Sequence, residues 1–236
     1  LGVLSPGDCP LRSSKVAITP ATAIWFPLEP EALTAADRIG VVDRRLALTM
    51  LRIASSAIVL FAIGYMIYWF VAENRFNPSQ FFAFFTIQSN LFAVAVLIAL
   101  VVRGDRPRSR TFEVLRGAAA LYLTVTFVVV ILLLSGADVQ LELQWVDFAV
   151  HKFFPVVVVL DWLLDPPTTR LNIRHALLWL AYPLVWVTLT LIRGAADGWY
   201  PYPFLDPANG GYASVAIYFV TILGFFLVIG IGLIWL

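Results

Sequence analysis

One cysteine, two histidines and two lysines in 236 residues remove several chemistries by counting alone. The lone Cys9 closes no intramolecular disulfide, and two histidines with one cysteine do not make a Cys/His zinc site. Charge is scarce too: 13% of residues are Asp, Glu, Lys or Arg, against about 25% in soluble domains. The 16 basic residues nearly cancel the 15 acidic ones, which excludes a strongly basic nucleic-acid binder and an acidic solvating tail. Neither a cofactor nor a metal is expected. What fills the chain is apolar: 61% hydrophobic residues and a mean hydropathy of +0.87 are the composition of a membrane protein.

The first 45 residues differ from the rest. They hold Pro6, Pro10, Pro20, Pro27 and Pro30 with scattered charges and no run long enough to span a bilayer, so they are expected to be disordered. With Leu at position 1 and methionine only at 50 and 66, an alternative start codon or a misplaced gene start is the expected origin of this segment. From residue 46 to 236, apolar stretches of roughly 20 residues alternate with short polar gaps, the length a helix needs to cross about 30 Å of hydrocarbon. Six spans are predicted, at 46–71, 81–102, 113–134, 144–164, 174–192 and 212–236. The fold class expected is therefore an all-α bundle of six transmembrane helices. Arginines 44, 45, 52, 103, 106, 108, 110, 116, 170 and 174 fall on one side of this pattern, and only Arg75 and Arg193 on the other. Positive residues favour the cytoplasm, so both termini are expected there, with loops 72–80, 135–143 and 193–211 outside.

In a sequence this apolar the informative residues are the polar ones that a membrane must tolerate. Two clusters stand out. Thr86, Ser89 and Asn90 share a helix face in Phe84-Phe85-Thr86-Ile87-Gln88-Ser89-Asn90, and Asp147 lies one helical turn from His151, which is followed by Lys152. Both enter from the outer side, Thr86 and His151 each roughly 10 Å deep at about 1.5 Å per residue. A hydroxyl becomes a nucleophile when a base removes its proton, imidazole has suitable basicity, and a carboxylate orients the ring. The bland reading is that Thr, Ser and Asn are interhelical packing glue. Lys152 is expected to extend toward the interface, Asp161 to face Arg170 or Arg174, and His175 to be solvated at a loop edge. Prolines 155 and 183 are weak helix-break signals. Outside, Trp199, Tyr202 and Phe204 lie in a run with Pro201, Pro203 and Pro207, which reads equally as an interfacial aromatic belt or as a lid or cavity wall.

The run 84–90, the stretch from His151-Lys152-Phe153-Phe154-Pro155 to Asp161-Trp162, and Gly198-Trp199-Tyr200-Pro201-Tyr202-Pro203-Phe204-Leu205 resemble the Pr6Pr family of bacterial six-helix membrane proteins. More distantly they resemble the androgen-induced and androgen-dependent transmembrane threonine hydrolases, which cleave fatty acid esters of hydroxy fatty acids. The resemblance covers about residues 46–236. It implies a Thr nucleophile at Thr86, a histidine at His151, and a multi-pass protein of the bacterial plasma membrane. Phe148 stands where the eukaryotic relatives carry a further histidine, a departure that bears on retained activity.

The function expected is an intramembrane lipid-ester hydrolase: Thr86 attacks, His151 serves as base and then acid, and Asp147, Ser89 and Asn90 support it, with Ser89 or Asn90 donating to the oxyanion. Its partner would be a membrane lipid or acyl-chain substrate. The alternatives are a non-enzymatic lipid-binding or structural membrane protein, and a small transporter.

Overall fold

The computed structural model describes residues 35–134 and 143–235; the expectations for residues 1–34 and for 135–142 lie outside the described residues. The chain divides into two units, Leu1–Val41 and Val42–Leu236, and the second carries all that follows. Every element among the described residues is helical. The long helices are α1 (Ala35–Ala72), α3 (Phe85–Arg103), α4 (Arg110–Val129), α8 (Ala181–Asp197) and α9 (Gly211–Trp235). Shorter ones are α2 (Pro78–Phe81), α5 (Gln144–Phe148), α6 (Phe154–Leu164) and α7 (Ile173–Trp179). Five stretches are long and apolar enough to cross a membrane: Asp43–Ala72, Phe85–Arg103, Arg110–Leu133, Ile173–Asp197 and Gly211–Trp235.

Three departures from the expected spans have local causes. Residues 35–45, assigned by sequence to the segment before the bundle, are helical and belong to α1. The second span opens at Phe85 and not at 81, because Asn77 accepts from the amides of Ser79 and Gln80 and Pro78 takes the first helical position, which sets α2 apart as its own short helix. The stretch 144–164 is helical throughout but falls short of the apolarity of the five, since it carries Asp147, Lys152 and Asp161.

That stretch also changes its winding. Between α5 and α6 the turn Ala149–Phe153 is a π-helix, and the amide of Phe154 bonds back five residues to Ala149. Pro155 explains the change: its ring has no N–H to give, so the turn before it cannot close the usual ladder. Pro183 acts likewise between α7 and α8, leaving the carbonyl of Trp179 without its usual amide partner four residues on. The hydroxyl of Tyr122 on α4 donates to that carbonyl at 2.9 Å. Proline is tolerated inside such helices when a neighbour fills the freed backbone group.

Helix α4 is the centre, packed against α3, α6 and α9. Its small residues Gly117, Ala118, Ala119 and Ala120 are buried, which lets neighbours approach closely. The tightest approach is at Gly117, where a Cβ would stand 2.2 Å from Cζ2 of Trp179. That indole cannot retreat, being buried and bonded through Nε1 to the carbonyl of Val114 at 2.8 Å. Gly117→Ala is expected to destabilise the bundle by about 1–3 kcal/mol, the range for overpacking, read as a lower thermal midpoint in detergent.

At the arginine-rich end three arginines meet three carboxylates. Arg52 reaches Asp161 and Asp165, each at 2.5 Å. Arg116 reaches Glu113 at 2.8 Å and Asp161 at 3.3 Å, and Arg108 reaches Glu113 and Asp165, each at 2.8 Å. Thr168 donates to Glu113 from both its amide and its hydroxyl at 3.0 Å. Burial works to raise the pKa of Asp165, but the hydrogen bonds from Arg108 and Arg52 and the charges of Arg116 and Arg108 outweigh it and hold the carboxyl below its ordinary value. Asp161 thus pairs with Arg52 and Arg116, not with Arg170 or Arg174 as expected: those two partners stand on the adjoining helices α1 and α4, at its own level. His175 stands partly exposed in the first turn of α7, where its Nδ1 accepts from the amide of Asn172 in the capping box that opens the helix.

Candidate active site

At the opposite end of the helical stretch 144–164, the side chains singled out by sequence come together. Asp147 and His151 are one turn apart, and His151 Nδ1 lies 2.7 Å from Asp147 Oδ1. The other ring nitrogen, Nε2, lies 3.2 Å from Thr86 Oγ1 across the interface with α3. Thr86 and His151 are both buried. Lys152, expected to extend toward the interface, is half exposed and turns its ammonium to Asp147 Oδ2 at 3.4 Å.

Ser89 and Asn90 are placed differently from the expected oxyanion role. Ser89 Oγ donates to the carbonyl of Thr86 at 3.1 Å, and Asn90 Nδ2 donates to the same carbonyl at 2.8 Å. Asn90 Nδ2 also donates to the carbonyl of Val150 at 3.1 Å. In a π turn that carbonyl would take its proton from residue 155, which is proline, so Asn90 supplies what Pro155 withholds. Asn90 thereby ties α3 to the turn that carries His151, and its NH₂ is occupied with backbone carbonyls and not with the hydroxyl of Thr86.

Tyr202 joins the group from the loop after α8. Its hydroxyl lies 3.2 Å from Thr86 Oγ1 and accepts from the Thr86 amide at 3.3 Å. The loop is set by Gly198, whose left-handed conformation (φ 75°) ends α8, and by Gly194, where a Cβ would stand 2.1 Å from the Tyr200 ring. Tyr202 is walled in by aromatic rings: edge-to-face with Phe84 (5.6 Å) and Trp186 (6.0 Å) and stacked on Phe204 (5.2 Å). Trp199 packs edge-on to Phe84 and takes the Arg193 guanidinium over its face at 5.0 Å. Burial holds the Tyr202 phenol above its ordinary pKa, against the opposing pull of its hydrogen bonds to Thr86, so it is neutral at physiological pH.

The two ends of this chain of groups fix every proton in it. A backbone N–H only donates, and the Asp147 carboxylate, faced also by the Lys152 ammonium, only accepts. With a neutral imidazole the order is then forced: Thr86 N–H to Tyr202, Tyr202 O–H to Thr86 Oγ1, Thr86 O–H to His151 Nε2, and His151 Nδ1–H to Asp147. In that arrangement the imidazole face toward Thr86 is an acceptor, which is the state a general base requires.

Beside Thr86 opens a cavity of about 80 Å³, lined by Phe85, Val125, Val129, Pro183, Trp186, Phe204, Phe219, Leu223 and Phe226 among others. Among the described residues its only hydroxyl-bearing walls are Thr86, Thr126 and Tyr202, and Thr126 is already bonded to the carbonyl of Tyr122. Of the three aromatic residues expected as lid or wall, Tyr202 and Phe204 line the cavity and Trp199 does not. Among the described residues no cluster of three or more His, Cys, Asp or Glu side chains is arranged to hold a metal ion. Compared with protein-family models, curated proteins and solved structures, the chain matches none.

Proposed function

We propose that the protein is an intramembrane ester hydrolase acting on acyl lipids, with Thr86 as nucleophile, His151 as general base and then acid, and Asp147 orienting the ring. The observation that carries this reading is the Asp147–His151–Thr86 relay at 2.7 and 3.2 Å, with its nucleophile on the wall of an apolar cavity. Thr86 Oγ1 bonds to the acyl carbon as its proton passes to His151 Nε2 and the carbonyl electron pair moves to oxygen. Collapse expels the alcohol, which takes the proton from Nε2. Water then attacks the acyl-threonine with the same base, releasing the fatty acid and returning the proton to Thr86. The resemblance to the threonine hydrolases and to the Pr6Pr family is a second support.

The same reading has the stretch 144–164 as a sixth span, both termini cytoplasmic and the relay in the outer half of a bacterial plasma membrane. Its ionisable groups are compatible with a crossing because each is paired: Asp147 with His151 and Lys152, Asp161 with Arg52 and Arg116. The aromatic cover over the Thr86 hydroxyl favours a second reading, a lipid-binding protein without turnover.

Purified protein offered p-nitrophenyl acyl esters and a fluorophosphonate probe is expected to turn over the former and be labelled by the latter. Thr86→Ala and His151→Ala should each reduce turnover by at least about 10³-fold, the scale on which triad members act. Turnover unaffected by both would remove the assignment, and intact lipid co-purifying with an inert protein would favour the binding reading.

A further inference from the structure

The relay leaves one requirement of ester hydrolysis unassigned: a pair of donors for the charge that develops on the carbonyl oxygen when Thr86 attacks. Ser89 and Asn90, the residues that sequence position suggests, are turned to backbone carbonyls. Two other donors are in place. Thr86 is the second residue of α3, and the first intrahelical bond of that helix is from Gln88 to Phe84. The amide of Thr86 is therefore one of the free donors of a helix N-terminus, where partial positive charge favours an anion. It is not empty-handed, since the oxygen of Tyr202 sits on it at 3.3 Å. The second donor is the Tyr202 O–H itself, directed at Thr86 Oγ1 by the proton order derived above.

We propose that Tyr202 is a catalytic residue whose hydroxyl serves the nucleophile and the oxyanion in turn. This rests on the hydrolase reading of Thr86 and His151. Before attack the phenol donates to Thr86 Oγ1, favouring loss of that oxygen's proton to His151. As the Oγ1–carbon bond forms, Oγ1 becomes an ester-type oxygen and a poorer acceptor, while the former carbonyl oxygen gains charge beside the Thr86 amide. The phenol hydrogen then rotates about its C–O bond onto that oxygen, and the Thr86 amide exchanges its phenol acceptor for the same oxygen. No proton leaves Tyr202 at any stage, and the balance is that of the hydrolysis alone. The surroundings suit this double role, because Phe84, Trp186 and Phe204 hold the ring and only the hydroxyl hydrogen has to move.

The test compares Tyr202→Phe with the wild-type chain in detergent, using p-nitrophenyl octanoate. Phenylalanine keeps the ring packing and removes the hydroxyl alone, both as donor to Thr86 Oγ1 and as acceptor for the Thr86 amide. The expected result is a fall in kcat of about 10²–10³-fold, the effect of losing one oxyanion donor, with KM and thermal midpoint near wild type. A fall below tenfold, a loss that lies in KM, or a gain in rate, as removal of a plug would give, overturns the proposal. Incorporating a fluorinated tyrosine at position 202 gives an independent measurement that keeps the hydroxyl and the fold. Its more acidic phenol should move the alkaline fall of the kcat profile to lower pH, and an unmoved profile overturns the proposal. A wild-type chain that neither turns over the ester nor takes a fluorophosphonate defeats the hydrolase reading, and this inference falls with it; an active, Thr86-dependent wild type with a fully active Tyr202→Phe defeats this inference alone.

Discussion

Asp147→Asn is expected to lower kcat/KM for ester hydrolysis by about 10⁴-fold, the loss seen when the triad carboxylate of a serine protease becomes an amide. The cause is the second neighbour of the carboxylate. Asp147 offers Oδ1 to His151 and Oδ2 to Lys152, and an asparagine has only one oxygen to share between them. Lys152 carries three donors and no acceptor, so an amide group turned toward it would oppose donor to donor. The asparagine therefore gives its oxygen to Lys152 and its NH₂ to His151 Nδ1. That nitrogen must then be the acceptor, which moves the ring proton to Nε2, where it faces Thr86 and blocks the base. The same logic predicts partial recovery on adding Lys152→Met, because the amide is then free to turn its oxygen to the ring. Steady-state ester hydrolysis of the single and double variants measures both effects. An Asp147→Asn enzyme within tenfold of wild type would mean that the carboxylate does not select the tautomer.

The parts of this site that could be read in the chain were those set by spacing along one helix. Asp147 and His151 four residues apart had to meet, and Thr86 stood out as a hydroxyl at the mouth of an apolar run. What escaped sequence reasoning depended on partners far along the chain. The hydroxyl of Tyr202 meets Thr86 across 116 positions, inside an aromatic and proline-rich run that composition reads equally as an interfacial belt or as a lid or cavity wall, neither of which gives its hydroxyl a partner. One signal was present even so: a tyrosine among buried rings needs a partner for its hydroxyl, unlike the phenylalanine beside it.

Asn90 teaches a similar point. The sequence shows its polarity but not its direction, although Pro155 announces a carbonyl that lacks its amide and needs an outside donor. The fold followed the hydrophobic pattern over its long helices. It departed from that pattern where local chemistry intervened, at the Asn77–Pro78 cap, at the π turn before Pro155, and in the charged stretch 144–164. The arginine count placed Arg52 and Arg116 with the loop cations because it weighed them by side and not by depth. Both stand inside helices at the level of Glu113 and Asp161, and two buried carboxylates and a partly buried one near three arginines at one end of a bundle imply a paired network.

That network yields the largest expected loss of stability. Arg116→Leu removes bonds to Glu113, Asp161 and the carbonyl of Asp165, and lifts a guanidinium from over the Trp162 ring at 5.5 Å. Asp161 keeps Arg52, but Glu113 Oε2 is left without its donor in a side chain that is 0% exposed, and three carboxylates then face two arginines. Breaking one partner out of a buried ion pair costs about 3–5 kcal/mol; here Glu113 keeps Arg108 and Asp161 keeps Arg52, so the expected cost is at the lower end of that range, that of one unbalanced negative charge and one bare carboxylate oxygen. The expected result is a sharp fall in monodisperse protein recovered in detergent and in the thermal midpoint of what remains. Adding Glu113→Gln should restore at least half of the loss: it returns the count to two and two, while Gln still presents an oxygen to Arg108 and Thr168. Arg45→Ala supplies the contrast, since Arg45 and Asp105 are as close, at 2.6 Å, but 63% and 80% exposed, where water replaces the lost partner and the cost stays below about 1 kcal/mol. If Arg116→Leu proved no worse than Arg45→Ala, the buried end would have to be taking in water. If it were severe but unrelieved by Glu113→Gln, the loss would come from packing against Trp162 and not from the stranded charge.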